Sequence, residues 1–382
     1  MASTPYSIGL ETLHTLIRAV LILLPVILLT AIYTWMERRQ AALMQDRIGP
    51  TRADVTIGQT KFTLWGILHI AADGLKFVFK EDIIPSRVHR LLFGLAPILA
   101  LAPVVIIFVV VPFGPGLMTG QWDRVVTDAQ LATAMADGSA FRLQGAHVEI
   151  GLLLVFAFSG LGVFGAALAG FGSNNKWSLL GGLRASAQMI SYEVTLGLTV
   201  IGALLIYGTL EPMAIVQAQS ASVWKWGIVV QPVGCLLFLV AAIAETKRTP
   251  FDIPEGESEI IGFHLEYSGM RWGIFFLGEY MELVLVGALV TTVFLGGWQF
   301  PGLHADGFSA LGWKLPHLAV VAIQMLTFWG KVILVGALQI AIRWTLPRLR
   351  YDQLMRLGWQ YLLPASLANV VITAMVLVAM KR

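Results

Sequence analysis

The sequence has little cysteine and little charge. Among 382 residues there is one cysteine, Cys235, and only 13% are Asp, Glu, Lys or Arg. One cysteine permits no internal disulfide and no all-cysteine zinc or iron–sulfur site. A soluble domain carries about 25% charged residues, so a soluble globular enzyme is excluded, as is a disordered or fibrous chain. No Walker A pattern or dinucleotide fingerprint opens a helix after a strand. The seven histidines (14, 69, 89, 147, 264, 304 and 317) all avoid the middle of an apolar run, which argues against haem held within a helical bundle. No Lys or Arg precedes Arg18, unlike the basic start of a cleaved signal peptide. No repeat or low-complexity tract stands out.

What is present is apolar: 57% hydrophobic residues and a mean hydropathy of +0.76. A membrane-spanning helix needs about 20 mostly apolar residues. Eight candidates run near 15–35, 91–113, 150–171, 189–210, 226–244, 272–296, 318–342 and 361–380. Trp35, Trp177, Trp226, Trp272, Trp298, Trp344 and Tyr361 lie near their ends, as an aromatic belt would. The fold expected is all-α: one integral membrane domain, 1–382, with eight transmembrane helices.

The basic residues set an orientation. The first, third, fifth and seventh connections hold 18 Lys and Arg, and the other three hold four. Lys and Arg favour the cytoplasmic side. Both termini are therefore expected on the outer, periplasmic side. The net charge of +3 then reports membrane orientation rather than nucleic-acid binding. The 36–90 connection is placed inside, as is 245–271, with 112–148 outside as a solvated loop.

Within 36–90, residues 62–79 are strongly apolar, yet His69, Asp73, Lys76 and Lys80 fall on one helical stripe. That pattern fits an amphipathic helix between the first two spans. It either lies on the bilayer surface or packs on the bundle with its polar stripe facing a cavity; periodicity does not choose between them.

Ionisable residues inside spans are costly and mark functional sites by default. Glu193 falls in the fourth span, Glu279 and Glu282 three apart in the sixth, and Lys331 in the middle of the seventh, while Glu245 closes the fifth. A buried pair, such as Lys331 with a glutamate serving as its counter-charge, is the bland alternative. Segment 245–282 is the densest: Glu245, Asp252, Glu255, Glu257, Glu259, Glu266, Glu279 and Glu282 face only three basic residues. Pro250, Pro254 and Gly256 make it a shaped turn rather than a solvated acidic loop. Clustered, part-buried glutamates raise one another's pKa, which a proton path requires.

Several stretches together resemble the H-type membrane subunits of NADH:quinone oxidoreductase, respiratory complex I, a family whose mitochondrial counterpart is subunit 1. They are MERRQAALMQDRIGPT at 36–51, ADGLKFVFKED at 72–82, GSNNKWSLLGGLRASAQMISYEVTLGL at 172–198, AETKRTPFDIPEGESEIIGFHLEYSGMRWGIFFLGEYMEL at 244–283 and RWTLPRLRYDQLMRLGWQYLLPASL at 343–367. They fall in order over nearly the whole chain. The resemblance implies a core membrane subunit of a proton-translocating enzyme in the bacterial inner membrane. Its substrate is quinone, held in a chamber shared with hydrophilic-arm subunits that carry the terminal iron–sulfur cluster and bind the quinone head. Other membrane-arm subunits and the lipid bilayer are further implied partners. No metal, haem, flavin or iron–sulfur cluster is implied on this chain, and no nucleic acid.

Carried over residue by residue, Glu37, Arg38, Asp73 and Lys76 match the quinone entrance, and Arg248 and Asp252 a pair shaping the chamber. Glu193, Glu245, Glu255, Glu257, Glu259 and Glu279 match the acidic path, and Glu282 belongs beside them. Arg343, Arg348, Arg350 and Asp352 match the internal loop before the last span, where docking is implied. The chain departs from the family pattern at Thr51, where Asn is usual, in the expanded 51–68 segment, and in the long 112–148 loop, which leaves His147 and Glu149 without a role. The corresponding subunit of a membrane-bound hydrogenase is the alternative within the superfamily. A proton-coupled transporter is the alternative of another class and would call for an inverted repeat.

Overall fold

The computed structural model describes residues 5–57, 60–118, 122–137, 140–220, 222–254, 256, 262–308 and 312–380. In chain order the helices are α1 (Pro5–Met44), α2 (Leu68–Phe79), α3 (Arg90–Phe108), α4 (Asp128–Ala136), α5 (Gly151–Gly172), α6 (Lys176–Tyr207), α7 (Pro212–Ala218), α8 (Gly227–Val230), α9 (Pro232–Glu245), α10 (Gly269–Phe294), α11 (His317–Thr345), α12 (Tyr351–Arg356) and α13 (Leu363–Met380). A π-helical turn, Leu357–Leu362, joins the last two. Small antiparallel hairpins decorate the connections: β1 (Val55–Ile57) with β2 (Thr60–Phe62), β3 (Leu117–Met118) with β4 (Ala140–Phe141), and β5 (Leu303–His304), β6 (Gly307–Phe308) and β7 (Trp313–Lys314) in one three-stranded sheet.

Among the described residues, seven helical stretches are long and apolar enough to span a bilayer. The fifth expected span differs. Its helix breaks at Gln231, and only the 14 residues of α9 continue. Pro232, at the first position of α9, has no N–H to bond backward, so the ladder stops there. The Gln231 side chain bridges the break to the last span: Asn369 donates to it at 3.0 Å and it donates to Thr373 at 2.5 Å. Such bonds hold transmembrane helices together where lipid supplies no hydrophobic drive for association.

Two other helices outrun their hydrophobic stretches. Helix α1 carries on past residue 35 to Met44, which puts Glu37 and Arg38 on rigid helix. Helix α6 starts at Lys176, capped by Asn175, whose side chain accepts from Trp177 N at 3.0 Å. Apolar-run length missed this because 176–188 carries Lys, Arg and Ser on helical turns.

Helix α10 is the core element, buried along most of its length between α1, α3, α9 and α11. Close approach is built in elsewhere too. A Cβ on Gly336 of α11 would collide with the Tyr33 hydroxyl, which donates to Val332 O at 2.8 Å. The amphipathic helix forms over residues 68–79 as its periodicity predicts, and Phe77 pins it to α10 by packing on Trp272 and Phe276. The connection after α9 is tied down by Gln188, which donates to Ala244 O and Phe251 O at 2.6 and 2.8 Å, and by Ser178, which donates to Phe263 O at 2.6 Å.

Candidate functional site: an ion cluster, a cavity and an acidic line

Glu37 anchors the site. Its side chain is almost fully buried, yet three partners converge on the carboxylate. Arg248 Nη1 lies 3.1 Å away, Arg343 Nη1 lies 2.5 Å away, and the Tyr280 hydroxyl donates at 2.7 Å. The Arg248 guanidinium also stacks over the Tyr280 ring, 4.0 Å from its centre. A buried charge survives only when paired and hydrogen-bonded, and here α1, α10, α11 and the connection after α9 each supply a part. Burial pulls the Arg248 pKa down, but Glu37, Tyr280 and Glu279 outweigh it and hold the guanidinium charged.

A cavity of about 420 Å³ opens beside this cluster. One wall is ionic: Glu37, Arg38, Arg248 and Arg343. Next to it, Trp272, Phe276 and Tyr280 line the cavity at four-residue spacing on one face of α10. Their rings follow one another at 5.2 and 4.8 Å, and Phe77 of α2 extends the series. His264, Glu279 and Arg47 also line the cavity. Burial lowers the His264 pKa, Glu279 pulls it up and Lys247 pushes it down, with burial prevailing. The cavity therefore offers an aromatic face beside an array of charged donors, as an amphipathic ring compound requires.

From the cavity an acidic line leads into the bundle. Glu279 and Glu282 share a narrow space with Lys247, whose Nζ is 3.7 Å from Glu282. Lys247 holds this place with a left-handed backbone, φ 56°, a strained state for a residue with a side chain. Glu282 and Glu245 then line a small inner cavity of about 50 Å³ together with Ser159. The Ser159 hydroxyl donates to Glu193 at 3.3 Å. Glycine at 160 leaves room for that carboxylate, since a Cβ there would stand 2.9 Å from its oxygen. Tyr192, which precedes Glu193 in α6, is fixed by donating to Leu354 O at 2.8 Å.

The structure thus brings Glu37, Arg38, Arg248, Glu279 and Arg343 to one cavity and strings Glu282, Glu245 and Glu193 behind it. Glu255, Glu257 and Glu259 lie outside the described residues. Arg248 and Asp252 do not pair with each other: Arg248 goes to Glu37, and Asp252 meets Arg348 at 2.9 Å, with Arg348 also donating to the Asp252 carbonyl. Burial raises the Asp252 pKa to about 6 although Arg348 and Arg343 pull it down. Asp73 holds Arg38 at 2.5 Å, while Lys76 stays exposed. Arg350 and Asp352 form an exposed local pair at 3.6 Å.

Lys331 corrects the expectation of a buried counter-charge. Its Nζ donates to Leu295 O, Gly297 O and Gln299 O at 2.7, 2.9 and 2.7 Å, and it lies 4.2 Å above the Trp226 ring. It binds the C-cap carbonyl of α10 and two carbonyls of the turn that follows, where a cation complements the helix dipole.

Sequence reasoning missed Tyr280, His264, Ser159 and Lys247. The four-residue spacing of Trp272, Phe276 and Tyr280 was the visible signal for the aromatic wall. Among the described residues no group of three His, Cys, Asp or Glu is placed to hold a metal ion.

The family described as NADH dehydrogenase matches residues 17–374. The chain is 40% identical over 372 residues to the second NADH-quinone oxidoreductase H subunit of Koribacter versatilis, covering 97% of this chain and 98% of that one. It is 42% identical to the second H subunit of Syntrophobacter fumaroxidans and 41% to that of Geobacter sulfurreducens, in each case over 94% of both chains.

Proposed function

Since the chain belongs to the NADH dehydrogenase family, among the H subunits of NADH-quinone oxidoreductase, we propose that its 420 Å³ cavity is the membrane part of a quinone chamber and that its acidic line couples quinone reduction to proton translocation. The chain is a subunit of the enzyme and carries no redox centre of its own. Electrons reach the quinone from an iron–sulfur cluster in a hydrophilic-arm partner, which also holds the quinone head. The bundle crosses the bacterial inner membrane eight times, α8 and α9 forming the broken fifth span, with both termini outside.

One observation carries this reading. A cavity with an ionic wall and an aromatic wall adjoins carboxylates that succeed one another through shared spaces: Glu279 with Glu282, Glu282 with Glu245, and then Glu193 through Ser159. Glu37, Arg38, Asp73, Lys76, Arg248 and Asp252 shape the entrance and chamber. Glu193, Glu245, Glu255, Glu257, Glu259, Glu279 and Glu282 form the proton path. Arg343, Arg348, Arg350 and Asp352 lie where the hydrophilic arm docks, and Arg343 also serves the Glu37 cluster. A carboxylate in such a path must exchange a proton, so an amide of the same shape stops the relay while leaving the cavity intact.

In the assembled complex, Glu279→Gln should lower quinone reduction and the proton pumping tied to it, while NADH oxidation by an artificial acceptor stays unchanged. Normal coupled activity in an assembled variant would overturn the assignment.

A further inference from the structure

A basic recess remains outside the acidic line. It measures about 480 Å³ and lies between the inner end of α1, the turn at 46–52 and the first turn of α2. Arg38, Arg47, Arg52 and His69 form its polar wall. Arg38 is held by Asp73, and Arg47 Nε donates to Gln45 at 2.7 Å. Neither Arg47 nor Arg52 meets a carboxylate among the described residues, and neither Asp46 nor Asp54 lines the recess. Two guanidinium groups thus turn uncompensated charge into one space.

Apolar residues border it. Ile48 lines the recess and is 82% exposed; Trp65, 76% exposed, precedes Gly66, which abuts Pro50 of the lining, and Leu43 and Ile67 are also open. The Trp65 carbonyl accepts from the indole of Trp35 at 2.9 Å, which fixes this edge to α1. An exposed tryptophan beside arginines at the inner end of a span marks the headgroup level of a bilayer. Arg38 and Arg47 line both this recess and the 420 Å³ cavity beside Glu37, so the two spaces adjoin.

We propose that the recess binds the phosphate of an anionic phospholipid of the inner leaflet, its acyl chains lying along Leu43, Ile48 and Trp65 beside the mouth of the cavity. Guanidinium groups suit a phosphate because their fork of donors matches its oxygens. A water-soluble phosphate would satisfy the arginines but leave the apolar rim uncovered, whereas a phospholipid satisfies both. The lipid would line the route by which an apolar substrate enters from the bilayer. The inference rests on the orientation proposed above and not on the identity of that substrate, and its test reads lipid contact rather than turnover.

The test places the whole complex in bilayers containing phosphatidylglycerol or phosphatidylcholine with a photoactivatable group in the acyl chain. Phosphatidylglycerol should label peptides spanning 43–52 and 64–69 well above phosphatidylcholine, and inorganic phosphate should leave that labelling unchanged. Removing both charges with Arg47→Gln and Arg52→Gln should reduce it about fivefold per charge, and Arg47→Lys with Arg52→Lys should retain most of it. Equal labelling by the two lipids, no label at these peptides, displacement by inorganic phosphate, or an unchanged neutral variant would each overturn the proposal. The wild-type comparison of the two lipids decides the matter even if a variant fails to assemble.

Discussion

The Tyr280 hydroxyl donates to the Glu37 carboxylate at 2.7 Å across 243 residues of chain. That bond ties the first span to α10, and the ring that makes it also carries the Arg248 guanidinium. One tyrosine therefore joins the aromatic wall of the cavity to its ionic wall.

Removing either partner should have unequal effects. Tyr280→Phe deletes one bond to a charged acceptor and should cost about 1.5–3 kcal/mol. Glu37→Ala strands Arg248 and Arg343 beside the cavity and should cost about 3–5 kcal/mol. Thermal unfolding of the purified complex should rank the two in that order, with the alanine variant also poorly assembled. Equal losses would show that Glu37 is not the hub of the cluster.

Asp252 should give the connection after α9 a pH dependence. Its pKa in the fold is about 6, raised by burial from 3.8. The native state thus holds the proton more tightly than the unfolded chain does, and between about pH 4 and 6 stability falls as pH rises. Above pH 6 the full penalty applies, at most about 3 kcal/mol, and below pH 4 it vanishes. The ion pair with Arg348 follows the opposite course, forming as pH rises through 6. Asp252→Asn should therefore flatten the stability profile between pH 4 and 7. A profile identical to that of the wild type, followed by thermal melts across that range, would remove Asp252 as its source.

Lys331 should behave as a helix cap and not as a counter-ion. Lys331→Met leaves the Leu295 carbonyl at the end of α10 and those of Gly297 and Gln299 in the next turn without their donor, and should destabilise the complex by several kcal/mol at about 1.5 kcal/mol or more per bond. In a double-mutant cycle with Glu282→Gln the two effects should add within about 0.5 kcal/mol. A coupling well above that would restore the ion-pair reading.

Much of the site was legible one element at a time. The stripe of His69, Asp73, Lys76 and Lys80 predicts a helix that forms over 68–79, and Glu279 and Glu282 stand together because three residues is nearly one helical turn. The partners of these groups were not legible. Arg248 reads as the neighbour of Asp252 in the chain, yet it lies with Glu37, and Asp252 lies with Arg348. No periodicity links residues about 100 or 200 positions apart. Arg248 and Asp252 part because the turn after α9 sends one side chain to α1 and the other to the connection after α11.

Lys331 shows the same limit from the other side. A lysine in the middle of an apolar run reads as half of an ion pair, because a buried charge needs compensation. Backbone carbonyls at the end of a neighbouring helix supply that compensation just as well, and they are invisible in a sequence since every residue has one.

The sequence by itself determined that this is a helical membrane protein, that its charges are too few and too clustered to be solubilising, and where its acids concentrate. Composition and spacing suffice for that, because the bilayer demands apolar runs and the helix repeats every 3.6 residues. Only the tertiary structure decided which carboxylate became the hub and in what order the remaining acids follow. It also decided that an aromatic wall and an ionic one meet in a single cavity. Those outcomes depend on which helices lie side by side, and in a membrane that is set by close packing and polar contacts between distant segments, not by any local pattern.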